Sequence, residues 1–162
     1  MLPDPGFAVK CDVVVRGVEG GLLDVNTRGS IVVDDLDAWR ALFKALSAPS
    51  GFNELRVGID PGSLCSIAAY ADSILVWVEK LDCRLAARRV KWLVDVVNPK
   101  RYSVNLGSGP GYERLVESIL GEGLELRIVP EEATTSKPIL SKLEEEIGDE
   151  DILAAMTIAL AH

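Results

Sequence analysis

Between Leu55 and Glu79 three apolar, β-prone runs follow one another with almost no chain between them: "LRVGID", "SIAAYA" and "SILVWVE". They read as strands over Leu55–Asp60, Ser66–Ala71 and Ser73–Glu79. The gap at Ala71-Asp72-Ser73 permits only a tight hairpin, so the second and third strands are antiparallel neighbours. The first run ends on Asp60 and is stopped by Pro61-Gly62. A charge there costs several kcal/mol if it is buried unpaired, so the carboxylate needs either a local partner or a purpose.

After the hairpin the pattern changes to alternation. A helix is predicted from about Asp82 to Val97, with Ala86, Val90, Leu93 and Val97 on one face, ended by Asn98-Pro99. A strand over Tyr102–Leu106, a helix over Tyr112–Leu120 and a strand over Leu124–Val129 follow. Two helical segments, Lys137–Ile147 and Glu150–Ala161, complete the chain. The order βββαβαβ followed by helices predicts an α/β fold, a mixed five-stranded sheet with helices on both faces.

Residues 1–53 read as a separate β-rich appendage, and 54–162 as the main domain. "FAVKCDVVVRGV" and "GLLDVNT" are strand-like and joined through Glu19-Gly20-Gly21, a plausible hairpin turn; "SIVVDD" offers a third strand. "DAWRALFKALSA" carries Trp39, Leu42, Phe43 and Leu46 at helical spacing, with Asp35 or Asp37 as cap. Pro49–Asn53 is a linker by composition. This unit holds no chemical motif.

The chain has 162 residues, 48% of them hydrophobic, enough for a full core without staples. No apolar run reaches membrane-span length and the N-terminus lacks a signal-peptide pattern, so a soluble, cytoplasmic protein is expected. Cys11, Cys65 and Cys83 are odd in number and show no metal-ligand spacing. Buried reduced thiols are the expected state, although the absence of glutamine points to a thermophile, where an intracellular disulfide is less rare.

The net charge of −8 argues against nonspecific coating of nucleic acid. The charge is uneven. Lys80–Arg101 holds seven basic and two acidic residues, and Arg84, Arg88, Arg89, Lys91, Lys100 and Arg101 are the candidates for following a phosphate backbone. Trp92, in their midst, reads as core, and the plain alternative for the basic residues is a solvated face. Glu131–Asp151 holds eight acidic and two basic residues.

Where strands of such a sheet end and loops splay apart, sites form. Asp60 sits at one such end, either as a ligand group or as the cap of an Asp-Pro-Gly turn. Asp149, Glu150 and Asp151 crowd the first turn of an apolar helix rich in small residues; capping explains one of them well and three less well. Gly107, Gly109 and Gly111, in "GSGPGYERL", follow a strand and open a helix, where backbone N–H groups can cradle a phosphate or simply turn the chain. Sugar kinases and actin-like ATPases share this topology, but they need two such domains. His162 ends the chain and is given no role.

"VGIDPGSLCSIAAYADSILVW" resembles the opening of the RuvC-like branch of the RNase H superfamily, in which an Asp on the first strand precedes Pro-Gly. "DILAAMTIALA" resembles its closing helix, and "VPEEATTSK" resembles the YqgF branch, with an acidic residue before a Thr-Thr pair. The resemblance covers Leu55–His162. It implies an RNase H-like domain with Asp60, Glu132 and Asp151 as metal-binding and catalytic carboxylates and Glu150 in reserve. It further implies Mg²⁺ or Mn²⁺ as cofactor and hydrolysis of phosphodiester bonds in structured DNA or RNA, in the manner of the Holliday-junction resolvases of recombination and repair. A homodimer is compatible with it. One departure stands out. RuvC-type resolvases carry a Glu after the first helix, and "RYSVNLGSGPG" offers only Asn105 or Gly107 there. The rival reading is a nucleic-acid-binding or scaffold protein that kept the fold and lost part of the site.

Overall fold

The computed structural model describes residues 13–16, 31–34, 37–48, 50–130 and 147–161. The chain divides into two compact units, Met1–Gly51 and Phe52–His162.

In the first unit, β1 (Val13–Arg16) and β2 (Ile31–Asp34) pair in parallel, Val13 opposite Ile31. Parallel neighbours need a crossover between them, and here the third predicted strand pairs with the first. The expected hairpin strand "GLLDVNT" lies outside the described residues. The helix α1 (Ala38–Leu46) is capped by Asp37, whose carboxylate accepts from the N–H groups of Trp39 and Arg40. Of its four apolar positions only Phe43 is buried, beside Ala41; Trp39 stacks on Phe43 at 6.3 Å and stays half exposed.

The second unit is built on the sheet order β5-β4-β3-β6-β7. The strands are β3 (Glu54–Asp60), β4 (Cys65–Ala71), β5 (Ile74–Leu81), β6 (Arg101–Gly107) and β7 (Leu126–Val129). β3, β4 and β5 are antiparallel in turn, whereas β6 runs parallel to β3 and β7 parallel to β6. With the helices α2 (Cys83–Val97), α3 (Tyr112–Gly121) and α4 (Glu150–Ala159), this is the mixed five-stranded sheet flanked by helices expected from the order of elements. The predicted helix over Lys137–Ile147 lies outside the described residues, save Ile147. Among the described residues no helix is long and apolar enough to cross a membrane.

The β4–β5 turn consists of Asp72 and Ser73, both with positive φ (46° and 73°), the pattern of a type I′ hairpin whose twist matches the strands. The Asp72 carboxylate accepts from the N–H groups of Asn53 and Glu54, which ties the turn to the start of β3. Those bonds hold its carboxyl below the ordinary carboxylate range.

Strand alternation divides the sheet residues between two faces. Trp77 and Glu79 meet α2: Trp77 lies edge-on to Trp92 at 5.2 Å, and Arg89 sits between both indoles and Glu79. The opposite face receives α4, where Ala68 and Tyr70 pack with Ala155, Met156 and Ala159. β4, covered on both sides, is buried along its whole length.

The tightest packing is at Gly58. A Cβ there would lie 2.0 Å from the Ala155 carbonyl oxygen and 2.3 Å from the Ala159 nitrogen. α4 therefore rests directly on the backbone of β3, which its small residues allow.

Cys65 and Cys83 form a disulfide, with Cα atoms 4.9 Å apart, which corrects the expectation of reduced thiols. The antiparallel hairpin is the reason. It returns the chain so that Cys65 pairs with Leu81 in the ladder, and Cys83 follows two residues later. Cys11 lies outside the described residues.

Because no rotamer change can relieve a clash with backbone, Gly58→Ala is expected to cost about 3 kcal/mol or more. Urea unfolding followed by circular dichroism checks this; a loss under 1 kcal/mol, roughly the scale of a surface substitution, would mean that α4 is not seated so closely.

Candidate functional site

The register across β3, β4 and β5 sets Asp60 opposite Ser66, and Ser66 opposite Lys80. The three form one row at one end of the sheet, and alternation puts their side chains on the α4 face, as for Gly58 and Ala68. Lys80 stands two strands from Asp60, about 10 Å along the row.

α4 enters at that same end. Its N-cap is Asp149, which accepts from the N–H groups of Asp151 and Ile152. Lys80 Nζ lies 2.7 Å from Asp151 Oδ2 and 3.1 and 3.0 Å from the two Asp149 oxygens. The ammonium holds the Asp149 carboxyl below its ordinary value, and the two carboxylates raise the Lys80 amine above its own, Asp151 first. Glu150 is exposed beside them. Of the three crowded acids, one caps the helix and two share a lysine.

Within this row Ser66 is completely buried, and its Oγ has no hydrogen-bond partner among the described residues. Buried hydroxyls are normally satisfied, so Ser66 is a polar group in waiting between Asp60 and Lys80. Neither Ser66 nor Lys80 was singled out in the sequence as part of a site. The only trace of them is their position in strands, and that depends on a register the sequence does not reveal.

Glu132 lies outside the described residues. Asn105, where a resolvase-type Glu is expected, has a structural task instead. It is buried, and its Nδ2 donates to the carbonyl oxygens of Ile158 (2.9 Å) and Ala161 (3.1 Å), with Ala159 at 3.5 Å. It therefore caps the C-terminal end of α4 from the neighbouring strand. A carboxylate here would face those same oxygens.

A cavity of about 250 Å³ opens near Asp60, among Pro61, Gly62, Arg84, Gly111, Arg114 and Ser118. Of the three candidate phosphate-cradling glycines only Gly111 lines it; it is the N-cap residue of α3, with φ 87°. Gly107 makes room for Ile158, whose Cδ1 would be 2.8 Å from a Cβ, and Gly109 for the Pro61 carbonyl, at 3.1 Å. Both are packing glycines.

The basic residues are not gathered into one face. Arg84 is at the start of α2, bound to Asp82, whose carboxyl it pulls down to about 2. Lys91 pairs with Asp95, and Arg88 approaches Glu122 at 3.9 Å. Lys100 and Arg101 adjoin Asn53 and Glu54, at the end of β3 away from Asp60. Arg89 is taken up by Glu79 and the two tryptophans, so its work is to dock α2 on β5.

Hard carboxylate oxygens are what Mg²⁺ and Mn²⁺ take as ligands, and Asp60 and Asp151 fit in donor chemistry. Among the described residues no three His, Cys, Asp or Glu side chains assemble into a metal-holding group.

No family model matches the chain, and no curated protein matches it. Among solved structures it is similar to "T. thermophilus RuvC in complex with Holliday junction substrate", at 16% identity and a TM-score of 0.43, over 67% of this chain and 92% of that one. That is a likeness of fold.

Two outcomes are expected. Asn105→Asp sets a carboxylate against the α4 carbonyls and lowers stability by about 3 kcal/mol, read by urea unfolding at neutral pH. The second concerns acid. Since its folded value is lowered from 3.8, the Asp149 charge contributes stability above that value and loses it as pH falls through the lowered one. Asp149→Asn keeps a capping side chain but not the charge. Its melting temperature should therefore fall less steeply than the wild type's from about pH 4 downward; parallel curves would rule the contribution out.

Proposed function

We propose that the Phe52–His162 unit is an RNase H-like domain of the RuvC/YqgF nuclease type, which hydrolyses phosphodiester bonds in structured DNA or RNA. The observation that supports this is the placement of Asp60, at the end of β3, and Asp151, in the first turn of α4, at one end and on one face of the sheet. Glu132 is proposed as the third carboxylate and Glu150 as its reserve. Mg²⁺ or Mn²⁺, when bound, supplies Lewis-acid chemistry to the phosphate and its attacking water.

The chain's own residues have simpler parts. Asp60 and Asp151 hold negative charge at the sheet end, the Cys65–Cys83 disulfide braces the segment after Asp60, and Asn105 holds the far end of α4. Arg84 and Arg88, the most exposed of the arginines on α2, are proposed for backbone contact.

A second reading, a nucleic-acid-binding or scaffold domain without cleavage, is favoured by Asn105 acting as a cap and by Lys80 already occupying the Asp151 carboxylate.

Radiolabelled junction, flap and stem-loop substrates, incubated with millimolar Mg²⁺ or Mn²⁺, separate the two. The nuclease reading expects cleavage that Asp60→Asn or Asp151→Asn reduces by at least about a hundredfold, while binding survives. Replacing Arg84 and Arg88 together by Ala should weaken binding and flatten its salt dependence. Binding without cleavage across all substrates selects the scaffold reading, and absence of both refutes a nucleic-acid role.

A further inference from the structure

We propose that Lys80 is the resident cation of the acidic end and that a divalent ion gains Asp151 only by displacing it. The inference concerns the carboxylate named in the proposed function, but its readout is metal binding and not cleavage.

Three observations carry it. Lys80 Nζ contacts three carboxylate oxygens on two residues, at 2.7, 3.0 and 3.1 Å. An ammonium so placed offers its donors where a hard cation would accept oxygen lone pairs, and it neutralises one of the two charges. Next, Asp149 is committed as N-cap to the N–H groups of Asp151 and Ile152, so it cannot turn away without uncapping α4. Finally, Lys80 comes from the edge strand β5, in the row that also holds Asp60 and the buried Ser66 hydroxyl, which has no hydrogen-bond partner among the described residues. The lysine, turned to the two carboxylates, leaves that hydroxyl unsatisfied.

Charge decides the consequence. With Lys80 in place the local sum of Lys80, Asp149 and Asp151 is −1, and without it −2. A divalent ion arriving beside the ammonium meets like charge and must either push it aside or bind elsewhere. The side chains are partly exposed, Lys80 at 29% and Asp151 at 60%. Displacement is therefore modest in cost, on the scale of an exposed ion-pair network, and worth about tenfold in affinity.

The test is Mn²⁺ titration of the full chain, with free Mn²⁺ followed by its electron paramagnetic resonance signal and melting temperature recorded alongside. The wild type should bind weakly. Lys80→Met should bind about tenfold more tightly and show a larger Mn²⁺-dependent rise in melting temperature, and adding Asp151→Asn should abolish the gain. Lys80→Arg, which keeps the cation, should behave as the wild type does.

Equal affinity of the wild type and Lys80→Met overturns the proposal. Should Lys80→Met not fold, Lys80→Gln replaces it. Because cleavage is not measured, a gain of Mn²⁺ affinity in a protein that cuts nothing upholds this inference while the nuclease reading fails.

Discussion

The contact on which the second unit depends is that of α4 with the backbone of β3 at Gly58. A helix separated from a sheet by ordinary side chains stands about 10 Å away and tolerates some sliding. Here Ala155 and Ala159 meet bare backbone, and the absence of a Cβ at Gly58 fixes where the helix lies. Both ends of α4 are then placed with little freedom. Its first turn arrives at Lys80, and its last carbonyls arrive at Asn105, which satisfies groups that a helix end would otherwise leave open. Acidic end, helix and polar cap form one mechanical unit across β5, β4, β3 and β6.

That seat bears directly on the electrostatics. The dipole of α4 favours carboxylates at its start, but each added charge repels the others, and the sheet answers with Lys80. Elsewhere the same economy recurs: Arg84 with Asp82, Lys91 with Asp95, Arg101 with Glu54, Arg89 with Glu79. What looks like a basic segment between Lys80 and Arg101 is largely matched by local acids, and its members are spread from one end of the sheet to the other. Among the described residues, much of this segment's positive charge is paired locally.

Much of the architecture was legible. The hairpin could be read because one short gap between two apolar runs leaves no alternative to an antiparallel turn, and Asp60 could be read as a strand end because Pro61 and Gly62 stop the run. Asn105 was legible only as a departure from a family pattern; its capping role depends on α4, distant in sequence, lying across β6. The disulfide was obscured because 18 residues separate Cys65 from Cys83, and only the returning hairpin brings them together. Arg89 read as a surface cation because helical spacing does not reveal that Trp77 will stand beneath it.

By itself the sequence determined the order of the described elements of the second unit, the β4–β5 hairpin, the caps and the small-residue helix that can approach a glycine. These follow from local backbone preference and apolar periodicity. Which charged side chain faces the acidic end was decided by tertiary structure. From the Asp72-Ser73 turn, Ala71 pairs with Ile74 and Tyr70 with Leu75, a register that would carry on to set Ser66 opposite Glu79. The ladder instead shifts between Ala69 and Tyr70, so that Ala69 pairs with Trp77 and Val76 bulges out. A single extra residue turns every later side chain to the other face. It sends Glu79 and Trp77 to α2 and Lys80 to α4, so the acidic end meets an ammonium and not another carboxylate.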